Sequence, residues 1–401
     1  MGALTERLSS GASGEALVIG AGQRTDPKTA GLLNGTAGTA LEMDEGHQFC
    51  KGHPAIHVIP AVLAAATNTR PSGQAILTAI AVGYEAAARV GIASALRPSM
   101  HPHGTWGAIG AAAAVLRLQN ATQAQIRDGM NMAASLGLST SRRTMLEGGT
   151  VRNTFAGLSN QMGLLVADLV ATGFSGDTEG VAHVFGQVVS DRFDQEALIE
   201  GLGERWEIMR NYFKLHACCR FNHAALDALD MLLADAPSFA PEDITDILVE
   251  TYGLAVELDD AAPKNVLAAK FSGPFASAAR LVTGVSTVES FSIDRVGDEA
   301  IRALAQQVRL IEDPEMSAKL PNERPARVTI ILRDGRKFSA ATDTNRGDWA
   351  DPFSEAEVYG KYLSLTARAW SPTKSRAVWD ATRELDAGDG AAFLDLLARS
   401  N

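Results

Sequence analysis

The densest group of reactive side chains in this 401-residue chain lies in the segment LEMDEGHQFCKGHPAIH, residues 41–57. It holds three of the eight histidines together with three carboxylates and a lysine, namely Glu42, Asp44, Glu45, His47, Lys51, His53 and His57. Imidazoles beside carboxylates can move protons near neutral pH, which favours an acid/base or anion-binding loop. Two alternatives stay open: a metal-dependent hydrolase site built from His47, His53 and His57, and a solvated structural loop.

A second pair of histidines, His101 and His103, flanks Pro102 just before an alanine-rich helical segment. The free N–H groups and the positive dipole end of a helix favour an anion at such a position. A histidine there can donate a proton or bind a carboxylate, although a structural role for His101 is also open. Further along, Arg152 follows a pair of glycines. Its guanidinium can clamp a carboxylate with two hydrogen bonds, unless it is a surface arginine.

A third group concentrates basic side chains in the ten residues KLHACCRFNH. These side chains are Lys214, His216, Arg220 and His223. In a chain of formal net charge −11 this concentration indicates a local cationic pocket, with scattered surface charge as the alternative. Such a pocket is suited to a small anionic substrate.

The overall composition is that of a globular protein, with 46% hydrophobic and 21% charged residues. The acidic balance argues against nucleic-acid or anionic-membrane partners, because both need a positive surface. Charge interrupts the apolar stretches before about 18 residues, so no membrane span is expected. Three cysteines cannot build a disulfide framework and the N-terminus lacks a signal-peptide pattern, so we expect a cytoplasmic protein.

The segment LVIGAGQRT resembles the start of a dinucleotide-binding fingerprint. It lacks the final small residue, and Asp26-Pro27 follows where a helix should continue. No dinucleotide cofactor is therefore expected.

The elements that must position these groups are mostly helices. Residues 30–235 are rich in alanine and apolar on a helical period, and several segments are apolar almost all round, as helices buried among helices are. Ser72 and Thr122 are expected as N-caps, and Gly173 as a C-terminal stop.

The pattern changes near residue 237. DITDILVETYGLAVEL alternates like a strand, and RVTIIL and KFSAAT flank a turn with Asp334-Gly335, which predicts a β-hairpin. Helices return after residue 350. We predict a mainly α protein, with a large all-α domain at 1–236 completed by 350–401, and a smaller α+β lid domain at 237–349.

Five segments, in this order, resemble the MmgE/PrpD family, whose members include 2-methylcitrate dehydratase, cis-aconitate decarboxylase and iminodisuccinate epimerase. The segments are LLNGTAGTALEMDEGH with the following GHP and IPAVLA, HPHGTWGAIGAAAA, GGTVRNTFAGLSNQMG, KLHACCRFNHAALDA and AKFSGPFASAA. The resemblance implies an all-helical main domain, a smaller α+β lid, an active site between them, a homodimer, and no metal or organic cofactor.

The resemblance also implies roles for individual residues. The implied catalytic residues are His53, His101, Asp44 and Lys214, with the two histidines moving protons and Asp44 orienting one of them. The implied substrate-binding residues are Arg152, Lys214, His103, His223 and Ser272. The chain departs from the family pattern at several positions. Glu42 and Glu45 replace aspartates, Gly46 replaces a hydroxyl residue, Arg152 stands where many members have lysine, and Ala217 and its neighbours replace an aromatic-Pro pair. Phe275 stands where a tyrosine is common, which would remove a possible proton donor and weaken the case for the decarboxylase and methylcitrate activities in particular.

The expected function is a cofactor-independent lyase or isomerase that abstracts a proton next to a carboxylate of a di- or tricarboxylate. A hydro-lyase similar to 2-methylcitrate dehydratase is the leading expectation. The alternatives are an epimerase of an iminodisuccinate-like amino dicarboxylate, a cis-aconitate-type decarboxylase, and a non-catalytic degenerate member of the family. The short stretch ahead of the first family segment, together with Gly46 and Phe275, makes the last alternative arguable.

Overall fold

The computed structural model describes residues 1–11 and 13–398 and is mostly helical, with 56% of the chain in helices and 12% in strands. The mainly α fold class is thereby confirmed. The helices of the first half are α1 (Gly2–Ser9), α2 (Pro27–Ala40), α3 (Pro54–Thr69), α4 (Gly73–Ala93), α5 (Gly107–Leu118), α6 (Gln123–Ser135), α7 (Arg142–Leu146), α8 (Phe155–Ala171), α9 (Gly180–His183) and α10 (Gln195–Ile199).

The predicted helix ends are confirmed by their caps. The Ser72 hydroxyl accepts from the Ala75 N–H at the start of α4. Thr122 forms a reciprocal capping box with Gln125 at the start of α6. Gly173 follows α8 with a φ of +83°, the left-handed conformation that ends helices.

Helix α5 lies at the centre of the bundle and packs against α3, α4, α6 and α8. Small residues allow this close packing. A methyl group on Gly83 of α4 would come within 2.6 Å of the Gly110 carbonyl oxygen of α5, and a methyl on Gly110 would come equally close to the Gly83 carbonyl oxygen. Only glycine fits at either side of this crossing.

Helix α4 is long and apolar enough to cross a membrane, judged by length and composition alone. Such a helix was not expected from the sequence, because charged residues interrupt the apolar stretches before about 18 residues. In the structure α4 packs between α3 and α5 inside the bundle, so burial among helices accounts for its apolar character.

Three short antiparallel strand pairs decorate the helical part: β1 (Ala16–Val18) with β2 (Gln23–Thr25), β3 (Gly46–His47) with β6 (Asn211–Tyr212), and β4 (Ser94–Leu96) with β5 (Ser190–Phe193). The LVIGAGQRT segment forms the β1–β2 hairpin, which is not the strand–helix unit of a dinucleotide site. The β3–β6 pair joins the His-rich loop to the segment that leads into Lys214.

A four-stranded sheet organises the second half, in the order β10 (Lys337–Thr342), β9 (Ala326–Leu332), β7 (Ile244–Thr251), β8 (Val308–Glu312). The predicted β9–β10 hairpin is confirmed. The strand predicted from residue 243 onwards ends at Thr251, and the remainder of that segment turns into a short helix. Strands β7 and β8 pair in parallel.

The second half also contains the helices α11 (His223–Asp235), α12 (Gly253–Val256), α13 (Val266–Lys270), α14 (Gly273–Thr283), α15 (Ile293–Val296), α16 (Glu299–Ala305) and α17 (Pro314–Ala318). Of these, α11 packs on β9 and β10, and α12 and α14 pack on β8. The alternating buried residues of β7 and β9 form one core with α11 and α14. The break predicted at Gly273-Pro274 is present, between α13 and α14.

The last part of the chain is helical, with α18 (Glu355–Thr366), α19 (Pro372–Arg383) and α20 (Gly390–Ala398). Helix α20 packs back on α3 and α4, as expected for a segment that completes the helical part. The exact division into domains at residues 236 and 350 stays a prediction.

Candidate active site

A cavity of about 250 Å³ lies between the helical bundle and the second half of the chain. The acidic loop after α2, the His101–His103 segment and Arg152 contribute from the bundle, and Phe271 and Arg324 contribute from the second half. Three of the predicted histidines, His53, His101 and His103, therefore line one cavity together with Arg152.

Glu42 anchors this cavity and is almost fully buried in the loop between α2 and α3. Its carboxylate pairs with Arg152 on one oxygen, and it accepts a 2.8 Å hydrogen bond from the Lys214 ammonium on the other. Burial alone would raise the pKa of Glu42, but the two cations hold that pKa well below its usual range. Glu42 is therefore a permanent anion that fixes both cations in place.

Lys214 is fully buried, and its ammonium also donates to Asp44 at 3.2 Å. Burial would lower the pKa of Lys214, but Asp44 and Glu42 raise it well above its usual range. Both hydrogen bonds of the ammonium go to carboxylates of this chain. Lys214 thus positions the acidic pair, and its expected contact with a substrate carboxylate stays a prediction.

His53 sits at the start of α3 and lines the cavity. Its Nδ1 lies 2.5 Å from the Glu45 carbonyl oxygen and 3.4 Å from an Asp44 carboxylate oxygen. Because both neighbours are acceptors, Nδ1 carries the proton and Nε2 keeps a free lone pair. Burial lowers the pKa of His53 to about 4, with Asp44 opposing the shift. His53 is therefore a neutral imidazole at pH 7 that can accept a proton.

His101 and His103 lie near His53 and form one cluster of imidazole rings with it. The His103 ring lies 4.6 Å from that of His53, 5.0 Å from that of His101 and 5.0 Å from that of His57, measured between ring centres. Burial, reinforced by Arg152, holds the pKa of both His101 and His103 well below the usual range. Nδ1 of His101 accepts from the His103 backbone N–H at 3.0 Å, so the ring proton lies on Nε2. His101 is thereby a hydrogen-bond donor while His53 is an acceptor.

Arg152 lies in a 3-10 turn that leads into α8, and only 2% of the residue is exposed to solvent. Besides Glu42, it faces Nε2 of His103 at 3.4 Å and the ring of Phe271 at 5.1 Å. Its Nε has no hydrogen-bond partner in the described part of the chain. A buried N–H of this kind can bind an anionic ligand.

Two lysines from the second half hold the base of the acidic loop. Lys270 donates to the carbonyls of Ala40 and Leu41 at the end of α2, and burial lowers its pKa to about 8. Lys361 of α18 donates to the carbonyls of Met43 and Lys214, at 3.0 and 2.8 Å. Burial, with Lys214 nearby, lowers the pKa of Lys361 to about 7. These contacts join the loop to distant parts of the sequence.

Two expected substrate-binding residues need correction. The Ser272 hydroxyl caps α14 by accepting from the Phe275 N–H at 2.9 Å, and it donates to the Asp260 carbonyl at 2.6 Å. His223 is fully buried against His216, with Nε2 facing the Cys218 carbonyl at 3.4 Å. Both side chains are engaged in local structure outside the cavity lining.

The metal alternative also needs correction. His47 does not join His53 and His57, because its Nε2 lies 3.2 Å from Glu207 and its Nδ1 accepts from the Cys50 N–H. Among the described residues, the group with ligand atoms within 4.8 Å of one another is Asp44, His53 and His103. Arg152 and Lys214 contact this group, and their positive charges oppose a cation there.

Two of the departures from the family pattern, Phe275 and Gly46, have different consequences in the structure. Phe275 packs on Phe291 in the core of the second half, so a hydroxyl at that ring would not reach the cavity. The expectation that Phe275 removes a proton donor from the site is therefore wrong. A side chain at Gly46 would collide with Tyr212, whose ring would lie 2.2 Å from an added Cβ.

Tyr212 is a cavity residue that the sequence reasoning missed. Its phenol occupies the space beside Gly46, and burial raises its pKa to about 12, so it remains a proton donor at pH 7. Arg324 was missed as well, whereas Arg220 was noticed only as part of the basic segment. The available signal for Tyr212 was its position two residues before Lys214.

Comparisons with known proteins cover nearly the whole chain. Residues 4–196 match the model of the MmgE/PrpD N-terminal domain, and residues 216–387 match that of the MmgE/PrpD C-terminal domain. The cis-aconitate decarboxylase-like protein oryM of Aspergillus oryzae is 23% identical over 95% of this chain and 84% of its own length. A cis-aconitate decarboxylase of Aspergillus terreus is 24% identical over 96% and 84%, and the Homo sapiens cis-aconitate decarboxylase is 22% identical over 90% and 76%.

Proposed function

This chain belongs to the MmgE/PrpD family, and from that premise we propose that it is a lyase acting on a tricarboxylate without a metal or organic cofactor. The observation that carries the proposal is the pairing of a neutral, proton-accepting His53 with a buried Arg152 in one cavity. Reaction at a carbon next to a carboxylate develops negative charge, which a fixed guanidinium stabilises.

Different residues of the cavity accept and donate protons. His53 accepts a proton through Nε2, and His101 offers an N–H, while the Tyr212 hydroxyl can return a proton. In a decarboxylation the bond to the departing carboxylate breaks and carbon dioxide leaves, while the electron pair of that bond stays on the substrate. This electron pair takes up one proton from the His101 N–H or the Tyr212 hydroxyl, and His53 accepts a proton from water and passes it on to restore that donor. In a dehydration or an epimerisation the same base removes a proton from carbon.

Among these reactions we propose decarboxylation of cis-aconitate or a close analogue as the first to test. The names of the relatives support it. The position of Phe275 in the core removes the objection to decarboxylation and to methylcitrate dehydration alike, so it favours neither. The earlier preference for a hydro-lyase has no support of this kind.

The test is proton NMR in D₂O with cis-aconitate, citrate, 2-methylcitrate and iminodisuccinate as separate substrates. We expect cis-aconitate to be consumed with release of carbon dioxide and entry of one deuterium into the product. Gain or loss of water would instead identify a hydro-lyase, and deuterium exchange without net loss an epimerase. If none of the four is consumed or exchanged, the lyase proposal is wrong and the non-catalytic alternative stands.

We also propose that the protein is a cytoplasmic homodimer. The three cysteines are all buried and free, which suits a reducing compartment. Light scattering after size-exclusion chromatography tests the dimer: a mass near 42.3 kDa would exclude it, and twice that mass would support it.

A further inference from the structure

We propose that Arg220 and Arg324 form a carboxylate-binding subsite in the cavity, separate from Arg152, which holds a second carboxylate of the substrate. This inference rests on the proposed function, because it assigns the substrate at least two carboxylates.

The charged residues that line the cavity are strongly unbalanced. Within the described chain they are one carboxylate, Glu42, and six cations: Lys51, Arg97, Arg142, Arg152, Arg220 and Arg324. Glu42 already pairs with Arg152 and Lys214. Three of the other five cations pair with carboxylates outside the lining, Arg97 with Asp191, Arg142 with Glu257 and Arg220 with Asp348. Arg324 and Lys51 have no carboxylate partner among the described residues, so the buried Arg324 guanidinium is the charge that an anionic ligand would neutralise.

The Arg220 guanidinium is fixed in position, but some of its N–H groups have no hydrogen-bond partner in the described structure. One nitrogen donates to Asp348 at 2.6 Å, and the guanidinium lies 4.1 Å from the centre of the Tyr212 ring. Only 3% of the residue is exposed. Its Nε and Nη1 are buried and find no acceptor in the part of the chain that is described. Two N–H-bearing nitrogens are thus available to a ligand in a preformed orientation.

Arg324 is positioned in the same way from the other half of the chain. Its Nη2 donates to the Gln48 carbonyl at 3.1 Å, and its guanidinium lies 5.5 Å from the Phe221 ring centre. The Gln48 side chain in turn donates to the Asn322 carbonyl, which fixes this loop to the acidic loop. Nε of Arg324 is buried without an acceptor among the described residues.

A buried guanidinium N–H that lacks an acceptor is costly, because it has lost its water without gaining a partner. A carboxylate supplies two oxygens that match the guanidinium fork. The ligand that fits is therefore a compact polycarboxylate, with one carboxylate at Arg152 beside the proton-accepting His53 and another at Arg220 and Arg324.

The test measures binding of tricarballylate, a saturated tricarboxylate that cannot undergo the proposed reaction. Isothermal titration calorimetry is carried out on the full chain and on R324Q, which removes the charge but keeps a polar side chain. We expect R324Q to weaken tricarballylate binding about 10–100-fold, the usual loss for a hydrogen bond to a charged group. R324K, which keeps the charge without the fork, should fall between the two.

Arg327→Gln is the matched control, since Arg327 lies three residues away on β9 and pairs with Glu250 at the surface. It should bind tricarballylate within about twofold of the unmodified protein. Arg220→Gln would leave Asp348 buried without its partner, so R220K is the variant to use there. Thermal unfolding of each variant verifies that it is folded.

A crystal structure with tricarballylate gives the second readout, with one carboxylate expected within hydrogen-bond distance of Arg220 and Arg324. Equal affinities for R324Q and R327Q, a ligand with every carboxylate away from both arginines, or no tricarballylate binding at all would each overturn the subsite. Failure of the lyase proposal looks different: tricarballylate binds as expected, but the unmodified protein leaves all four test substrates unchanged.

Discussion

Two buried clusters in this protein use the same residue types and differ in how their polar groups are paired. In the first, Arg89 donates to Glu85 at 2.6 Å and to three backbone carbonyls, and the other Glu85 oxygen accepts from the Glu207 N–H. Glu207 also lies against His47, Arg205 and Arg210. We call this set the structural network.

The second cluster, Glu42, His53, His101, His103 and Arg152, faces the cavity, and we call it the cavity cluster. Here Nδ1 of His103 and Nε of Arg152 are buried without partners in the described structure. Burial, charge and residue type do not separate the two clusters. Unpaired atoms beside a cavity do. In the structural network Nε2 of His47 makes no well-aligned hydrogen bond, but it lies 3.2 Å from a Glu207 carboxylate oxygen. The unpaired atoms of Arg152 and His103 belong instead to side chains that line the cavity, where a ligand can supply the missing partners.

The largest effect that would sharpen this comparison is expected from His53→Gln. Removing the proton-accepting Nε2 should lower turnover about 10²–10⁴-fold, since glutamine cannot act as a base. The variant should remain folded, because the amide can still donate toward the Glu45 carbonyl. The measurement is the rate of substrate loss by NMR, alongside His183→Gln, an exposed histidine whose loss should change nothing. Full activity in His53→Gln would remove this residue from the reaction.

The structural network should respond in stability and not in chemistry. Arg89→Gln leaves the buried Glu85 without its cation, which should lower the free energy of unfolding by about 3–5 kcal/mol. Arg376→Gln breaks a pair of the same i,i+4 spacing at the surface, with Asp380, and should cost less than about 0.5 kcal/mol. Urea denaturation compares them. If both variants lost the same free energy of unfolding, burial would not make the Arg89–Glu85 pair more stabilising than the exposed Arg376–Asp380 pair.

The pH dependence of stability should separate the clusters further. Burial lowers the folded-state pKa of His53 to about 4 and that of His57 to about 3. The unfolded chain, with pKa values near 6.5, therefore binds protons first as the pH falls, and stability decreases between about pH 6.5 and pH 4. The loss should be on the order of 3 kcal/mol for His53 alone.

Glu207 of the structural network also has a lowered pKa, so its contribution to stability is likewise lost as the pH falls, but in a lower pH range. Burial alone would raise this pKa, but His47 and Arg205 lower it to about 2, so the stabilising contribution of Glu207 is present above its ordinary value of 4.5 and is lost as the pH falls towards 2. Denaturation at pH 7, 6 and 5 thus reports on the buried histidines whose pKa burial lowers, which include His47 of the structural network as well as His53 and His57. His57→Gln should flatten this profile, and an unchanged slope in that variant would contradict the assignment.

The smallest expected effect concerns the wall of the cavity. Gly46→Ala places a Cβ against the Tyr212 ring and should cost about 1–3 kcal/mol of unfolding free energy. Gly360 of α18 has open space around it, and Gly360→Ala should stabilise by about 0.5–1 kcal/mol. Thermal denaturation of both variants checks the contrast. A neutral Gly46→Ala would show that Tyr212 can move aside.

Local sequence signals predicted the helices and the β9–β10 hairpin well, because caps, periodicity and an Asp-Gly turn are encoded within a few residues. Helix α19 was missed, since its sequence PTKSRAVWDATR is mostly polar and contains few large apolar residues. The parallel pairing of β7 with β8 was missed because no short turn links strands that lie about sixty residues apart.

The site followed the same rule. Histidines and carboxylates clustered within residues 41–57 were visible as chemistry, and so was Arg152 once the family segments were recognised. Arg324 was not, because its relation to the cavity depends on a contact with Gln48 across 276 residues of sequence. The family resemblance gave Ser272 a substrate-binding role, and the spacing of the histidines gave His47 a metal-binding role. The hydrogen-bond partners of both side chains leave neither role open.

The lysine of α18 that grips the acidic loop has a consequence for genetics. A nonsense mutation between codons 350 and 361 would leave every imidazole and guanidinium of the cavity encoded, yet it would delete Lys361, the side chain that ties the Met43 carbonyl to the Lys214 carbonyl. The codon for Lys361 thus matters to the candidate site, although this residue does not line the cavity.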